Sequence, residues 1–282
     1  MHIPSVGQLS DLIEAYALVV SLIGAALSTP RLARFWRTRH LRRVWGIQNG
    51  DRVVVVCSEL DEPAKRQNVE EREFIYALKY GDVDAYFEVI VTLLRLYPRI
   101  KLRALSSGEA ESTPIDMGQH LVLIGGPDYN AIAARLLRKN VTQLQYRSPY
   151  LPEKPRVAAG EITLYHVQED REYFDRTDEK DYGYFERVPN PNNPEKTIVF
   201  IGGCHTIGVT GAAKAFSMAQ SEHGEIPPLV LSNAKVVAQA VRRSAAFAVV
   251  LPIERVGQTI NTPVVSAAHV HTGSGGHART GP

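Results

Sequence analysis

Cysteine is scarce in this chain: Cys57 and Cys204 are the only two among 282 residues. Two thiols cannot build a disulfide framework, and without a C-x-x-C pair there is no zinc ribbon or dithiol redox motif. Each closes an expected strand, so both read as buried, reduced side chains. No H-E-x-x-H run and no nucleophile elbow occurs, which leaves metalloprotease and α/β-hydrolase readings without support. Acids are missing from positions 31–43, where Arg31, Arg34, Arg37, Arg39, Arg42 and Arg43 stand together, so the net charge of +2 conceals a mildly acidic remainder. Nucleic acid is therefore an unsuitable partner for the globular part. No motif names a cofactor, and none calls for a metal.

Long apolar runs are also missing. The most apolar stretch, residues 12–27, carries Glu14 and Ser21 and is short of the roughly 20 residues that span a bilayer. The arginines that follow it, with Trp36 and Trp45, nevertheless fit positive-inside topology and an interfacial aromatic belt. The expectation is a hydrophobic helix over residues 1–30 acting as a single-pass anchor in the cytoplasmic membrane, with the rest of the chain in the cytoplasm. The alternative is a cytoplasmic protein whose first helix docks on its own domain or on a second subunit. Ala17, Ser21 and Ala25, four residues apart, would permit a homo-oligomer through close helix pairing. Residues 31–47 read as a basic helix meeting an anionic membrane surface through Arg31 to Arg43.

What is present is ordinary globular composition, 44% hydrophobic and 22% charged, with strand and helix patterns in alternation. Strands are expected at 52–57, 100–105, 121–124, 141–146, 197–201 and 247–251. Helices are expected from residue 81 to Pro98, over 128–139, following the Gly202 to Gly211 loop and over 232–243. In the first, Val83, Phe87, Ile90, Val91 and Leu94 would form the buried face. Residues 106–118 read as a polar loop. This alternation predicts an α/β fold with a doubly wound, mostly parallel Rossmann-like sheet over 48–260. An insertion at about 148–196 interrupts it, with 161–167 and 182–188 paired as an antiparallel hairpin, and residues 261–282 form a disordered tail. His269, His271 and His277 in that tail are not assigned to a metal.

Two strand-to-helix junctions are glycine-rich. In the first, Gly125, Gly126, Pro127, Asp128 and Asn130 follow an apolar run; in the second, Gly202, Gly203, Cys204, His205, Thr206, Gly208 and Gly211 do. Neither is a P-loop or a dinucleotide fingerprint. Such loops let backbone amides approach an anion at a helix N-terminus, and in a parallel sheet both would open at the same edge. The candidate ligand-binding residues are thus Gly125, Gly126, Asn130, Gly202, Gly203, His205, Thr206 and Gly208. The same glycines equally suit tight turns with close packing. The neighbours Cys204 and His205 do not make a nucleophile and base, because adjacent side chains rarely face each other. Acid catalysis would need a cleft carboxylate: Glu59 and Asp128 lead that set, with Glu71 and Asp82 behind them.

Gly125-Gly126-Pro127 with Asn130, Asp181-Tyr182-Gly183, Asn190-Pro191 and the Gly202 to Gly211 loop together resemble uncharacterised bacterial Rossmann-like modules, some of which carry a hydrophobic N-terminal helix. The likeness covers about residues 50–255 and brings no activity with it. A looser, fold-level similarity is to TIR and nucleoside deoxyribosyltransferase-like domains, which implies nucleotide binding or cleavage. Three functions are therefore expected in order: a membrane-tethered sensor of a nucleotide or phosphorylated small molecule, a hydrolase of a nucleotide or N-glycosidic bond, and an interaction module with structural glycines.

Overall fold

The computed structural model describes residues 6–27, 30–59, 80–139, 141–147, 163–166, 171–173, 180–219, 225–241 and 244–272. The acids after Glu59, Glu71 among them, most of the expected insertion and the tail from 273 with His277 lie outside these residues. The chain divides into two units, Met1–Arg39 and His40–Pro282.

The first unit holds α1 (Val6–Leu27) and the start of α2 (Pro30–Trp45), whose later residues belong to the second unit. Among the described residues no helix is long and apolar enough to cross a membrane, so the expected single-pass span is not supported. Glu14 leaves only residues 15–27 free of charged side chains, about 20 Å of helix at 1.5 Å per residue, against a hydrocarbon core of about 30 Å.

The second unit begins earlier than residue 48. Leu41, Val44, Trp45 and Ile47 are all buried in its core. The Trp45 ring meets Phe185 edge-on at 5.2 Å, and its indole N–H donates to the Phe216 carbonyl at 3.4 Å. Arg187, on the far side of the helix end, donates to the Val44 carbonyl at 3.2 Å.

The fold is α/β, with a mixed sheet whose central strands are mostly parallel. In chain order the remaining elements are β1 (Arg52–Cys57), α3 (Tyr80–Leu96), β2 (Lys101–Ser106), α4 (Ser107–Ser112), β3 (His120–Ile124), α5 (Ala131–Arg138), β4 (Leu144–Arg147), β5 (Thr163–His166), β6 (Arg171–Tyr173), β7 (Lys180–Asn190), β8 (Asn193–Gly203), α6 (Thr206–Lys214), α7 (Pro228–Ala240), β9 (Phe247–Val256), β10 (Thr259–Ile260) and β11 (Val270–Thr272). The main sheet has the order β10-β9-β7-β8-β3-β1-β2, with β11 on β9. Strands β2, β1, β3 and β8 are parallel; β7 runs against β8, and β9 runs against β7 and so in the direction of the parallel set. Both faces are covered, which is why β1 and β3 are continuous apolar runs. Val53 and Val55 pack with α2, α3, α6 and α7, whereas Val54 and Val56 pack with α4, α5 and the small β4-β5-β6 sheet.

Several expectations change. The strand at 141–146 does not close a βαβ unit; β4 pairs with β5 in the small sheet. Residues 182–188 are not a hairpin arm of 161–167: β7 sits between β8 and β9 in the main sheet, where Phe185 and Val188 are buried. The 106–118 loop contains α4, started by a Ser106–Glu109 capping box. In α3 the buried side is Ala85, Val89, Leu93 and Leu96, while Phe87 and Leu94 are exposed. Apolarity alone misled here because Asp82, Glu88 and Thr92 are buried on the core side with polar partners. Helix α7 begins at Pro228, and Asn233 lies inside it, bonded to Ala215, Pro263 and Val265. The expected tail also contributes structure, since Val265 and His271 are buried.

Glu186 joins the small sheet to the main one. It is fully buried in β7, and its Oε1 accepts the Gln143 amide at 2.5 Å. Oε2 has no hydrogen-bond partner among the described residues. Burial pushes its carboxyl from 4.5 up to about 8, although the Gln143 and Leu144 amides pull the other way. The folded state therefore keeps a proton that the unfolded chain releases. Its stability is fully present below the unfolded value and declines as pH rises from 4.5 through about 8, by at most about 1.4 kcal/mol per pH unit. Urea midpoints should fall over that window in the parent protein, and Glu186→Gln should flatten the decline. Two effects are also expected at the N-terminal border of the globule. Trp45→Ala should cost about 3–5 kcal/mol, and a chain starting at residue 48 should melt well below the full chain in calorimetry.

Candidate functional site

From β1 the chain passes through α3 to β2 on one flank and then returns across β1 to β3 on the other. Beside β1 the strand order reverses, and the carboxyl ends of strands at such a point are where open α/β sheets receive ligands. Hydrogen bonds join the segments leaving β1 and β3. The Ser58 amide donates to the Ile124 carbonyl at 3.0 Å and the Glu59 amide to the Tyr129 carbonyl at 2.8 Å. Asn130 is fully buried; its side-chain N–H groups donate to the Val56 and Ile124 carbonyls at 3.2 and 3.1 Å. Its Oδ1 accepts the Ala133 amide at 3.0 Å as the N-cap of α5. Every polar atom of Asn130 thus has an internal role, as a clasp between β1, β3 and α5.

Gly125 has φ +92, a conformation that side chains resist. A Cβ there would lie 2.5 Å from the Ser58 Cβ and 2.9 Å from Asp82 Oδ2. The glycine lets β3 turn away directly against Ser58, whose hydroxyl donates to the Asp82 carboxylate. Gly126 supplies the carbonyl that accepts the Asn130 amide at 3.0 Å. Across β1, Glu59 Oε2 accepts the Gly108 amide at 2.9 Å, so this carboxylate is held at the first turn of α4. Asp128 belongs to the loop that receives the Glu59 amide, and its Oδ1 is shielded from solvent. Cys57 lies beneath: burial, reinforced by the Asp82 and Glu59 carboxylates, pushes its thiol up to about 12. That thiol is inert at neutral pH.

The second glycine loop leaves β8, next to β3, and the Gly125 amide donates to the Ile201 carbonyl at 2.9 Å. Both loops therefore emerge at one edge. The second is already filled from within. Asp181, at the start of β7, accepts the His205 amide at 2.9 Å and the Gly208 amide at 2.5 Å through Oδ2, and its own neighbour Tyr182 through Oδ1 at 2.7 Å. A buried carboxylate thus occupies the N-terminus of α6, the position where an external anion would be favoured. Steric contact explains the glycines around it. A Cβ on Gly203 would lie 2.7 Å from the Gly208 backbone, and one on Gly208 would strike the Tyr182 carbonyl. Gly202 continues β8 opposite Tyr184. His205 is the exposed N-cap residue without a capping side-chain bond, and Thr206 is the half-buried first residue of α6.

The structure brings Glu59, Gly125, Gly126 and Asp128 together at the carboxyl ends of β1 and β3 and adds Ser58, Asp82 and Gly108. It sets His205 and Gly208 on Asp181 instead, with Gly203 packed against Gly208, Gly202 paired within β8 and Thr206 opening α6. Sequence reading missed Asp181 as an anion for this loop; its only signal was Asp-Tyr-Gly, which reads as turn chemistry. No protein-family model, curated protein or solved structure matches the chain.

Replacing Asp181 by Ala leaves two amides at the start of α6 without their charged acceptor, and hydrogen bonds to charged groups contribute about 1.5–3 kcal/mol each. Chemical denaturation should show a loss of about 3 kcal/mol or more for Asp181→Ala. Asp181→Asn, which keeps one acceptor oxygen, should lose less.

Proposed function

We propose that the sheet is the core of a doubly wound Rossmann-like domain, and that it binds a nucleotide or a related sugar-bearing small molecule in the crevice between β1 and β3. The observation that carries this reading is the placing of Glu59, Asp82 and Asp128 at the reversal of strand order, beside a glycine turn that brings backbone close to Ser58. Carboxylates accept hydrogen bonds and repel phosphate, so they suit the hydroxyl groups of a sugar. Asp181 already holds the His205 and Gly208 amides. Recognition in this reading therefore starts from the nucleoside end, and a phosphate would extend outwards. Binding without turnover is sufficient for a sensor or effector in signalling.

A hydrolase of the same fold is the second reading, favoured by the fixed orientation of Glu59, whose Oε2 is held by the Gly108 amide. A carboxyl group so positioned could, when protonated, donate its proton to a leaving base or, when ionised, stabilise positive charge on a ribosyl carbon. Thermal melting of the full chain with nucleosides, nucleotides and cyclic nucleotides, with mass spectrometry of each mixture, separates the two. A ligand at a hundred times its Kd should add about 2.7 kcal/mol. A shift with unaltered ligand, weakened in Glu59→Gln and Asp128→Asn, supports the sensor; altered ligand, with turnover abolished in Glu59→Gln, supports the hydrolase. A flat panel from folded protein would leave the interaction module, in which both glycine loops serve packing alone.

A further inference from the structure

The first unit carries a surface that the crevice does not explain. Along α1 every described side chain from Ala15 to Ala25 is exposed, with Leu18 at 63% and Leu22 at 60%. In α2, Phe35 and Trp36 are each half exposed, and Arg34, Arg37 and Arg39 beside them are exposed as well. The Arg39 guanidinium lies 5.5 Å from the centre of the Trp36 ring. So large a display of apolar side chains marks an interaction surface. Its charge selects the partner, because residues 31–43 hold six arginines and no acid.

We propose that this unit attaches peripherally to an anionic lipid surface, with Trp36 and Phe35 at the level of the headgroups and Arg34, Arg37 and Arg39 on lipid phosphates. An aromatic that is apolar in its body and polar at its N–H belongs at that depth. Arginine matches phosphate oxygens through paired N–H groups, and its aliphatic stem can remain among acyl chains. The Trp36–Arg39 pair joins both requirements in one contact. A second copy fits less well: a two-fold contact through this stretch of α2 would set arginines against arginines with no acid in 31–43 to pair them. Attachment in the plane of the interface also needs no helix that crosses the bilayer.

Flotation of the full chain with phosphatidylcholine vesicles, with and without about one-third phosphatidylglycerol, tests this. Each arginine near an anionic surface contributes about fivefold to partitioning, so the triple substitution Arg34→Gln, Arg37→Gln, Arg39→Gln should weaken binding on the order of a hundredfold. Trp36→Ala should weaken it too, and raising salt from about 0.1 M to about 1 M should release the parent protein. All four positions are exposed, and unchanged melting temperatures would show that the variants remain folded. Three results would overturn the proposal: no binding to either vesicle, equal binding to both, or a dimer in sedimentation that Trp36→Ala dissolves while lipid binding is absent.

Discussion

The Asp181 carboxylate, held against the backbone where α6 begins, is the contact on which the centre of this protein depends. Strand β7 must pass α6 and β8 at backbone distance, because Gly183, Gly203 and Gly208 meet one another with no room for a Cβ. Glycine contacts of that kind exclude water from the first turn of the helix, and its amides then need a partner inside the protein. Asp181 provides one acceptor for His205 and Gly208 together and satisfies Tyr182 with its other oxygen. The close approach makes the carboxylate necessary, and the carboxylate holds the approach in place.

That arrangement divides the carboxyl edge of the sheet into two unlike halves. Beside β8, donors are consumed by an internal anion. Beside β1, the chemistry is that of buried acceptors: Glu59 is turned by the Gly108 amide and Asp82 by the Ser58 hydroxyl. The two glycine loops look alike in sequence, yet one encloses a charge of the chain's own and the other turns directly against Ser58 and the Asp82 carboxylate. A ligand reading based on glycine content alone would treat them as equals; their electrostatics are opposite.

Residues with strong local signals were legible. The apolar runs of β1, β3 and β8 and the helix ending before Pro98 appear where their composition put them, because each is buried on both faces or stopped by a residue that cannot continue it. The Gly125 turn and the place of Glu59 after β1 were legible for the same reason. The direction and neighbours of β7 were not, since pairing with β8 and β9 depends on partners that are distant in sequence. Nor was the buried side of α3, where Asp82, Glu88 and Thr92 take core positions because Ser58 and Ser217 meet them there. Asp181 was hidden by the same limit: nothing local to an Asp-Tyr-Gly turn announces two amides that lie 24 and 27 residues further along the chain.

The opposite edge of the sheet explains how the carboxyl edge can hold such close contacts. There His120 is almost fully buried, and the Thr197 amide donates to its Nδ1 at 3.0 Å. Because an amide can only donate, Nδ1 is the acceptor and the ring proton sits on Nε2, which lies 3.1 Å from Asp51 Oδ2. Thr197 adds its hydroxyl to the same nitrogen at 2.9 Å, and Lys196 meets the other Asp51 oxygen at 2.9 Å. Burial holds the His120 pKa below its usual value even beside Asp51, so the ring is neutral at neutral pH and its tautomer is set by its neighbours. One imidazole thereby ties the start of β3 to the start of β8 and to the turn before β1. With the register of these three strands fixed at their amino ends, the positions of Ser58, Gly125 and Gly203 at the other ends follow from strand length, and a crevice can be built there from side chains that need not also hold the sheet together.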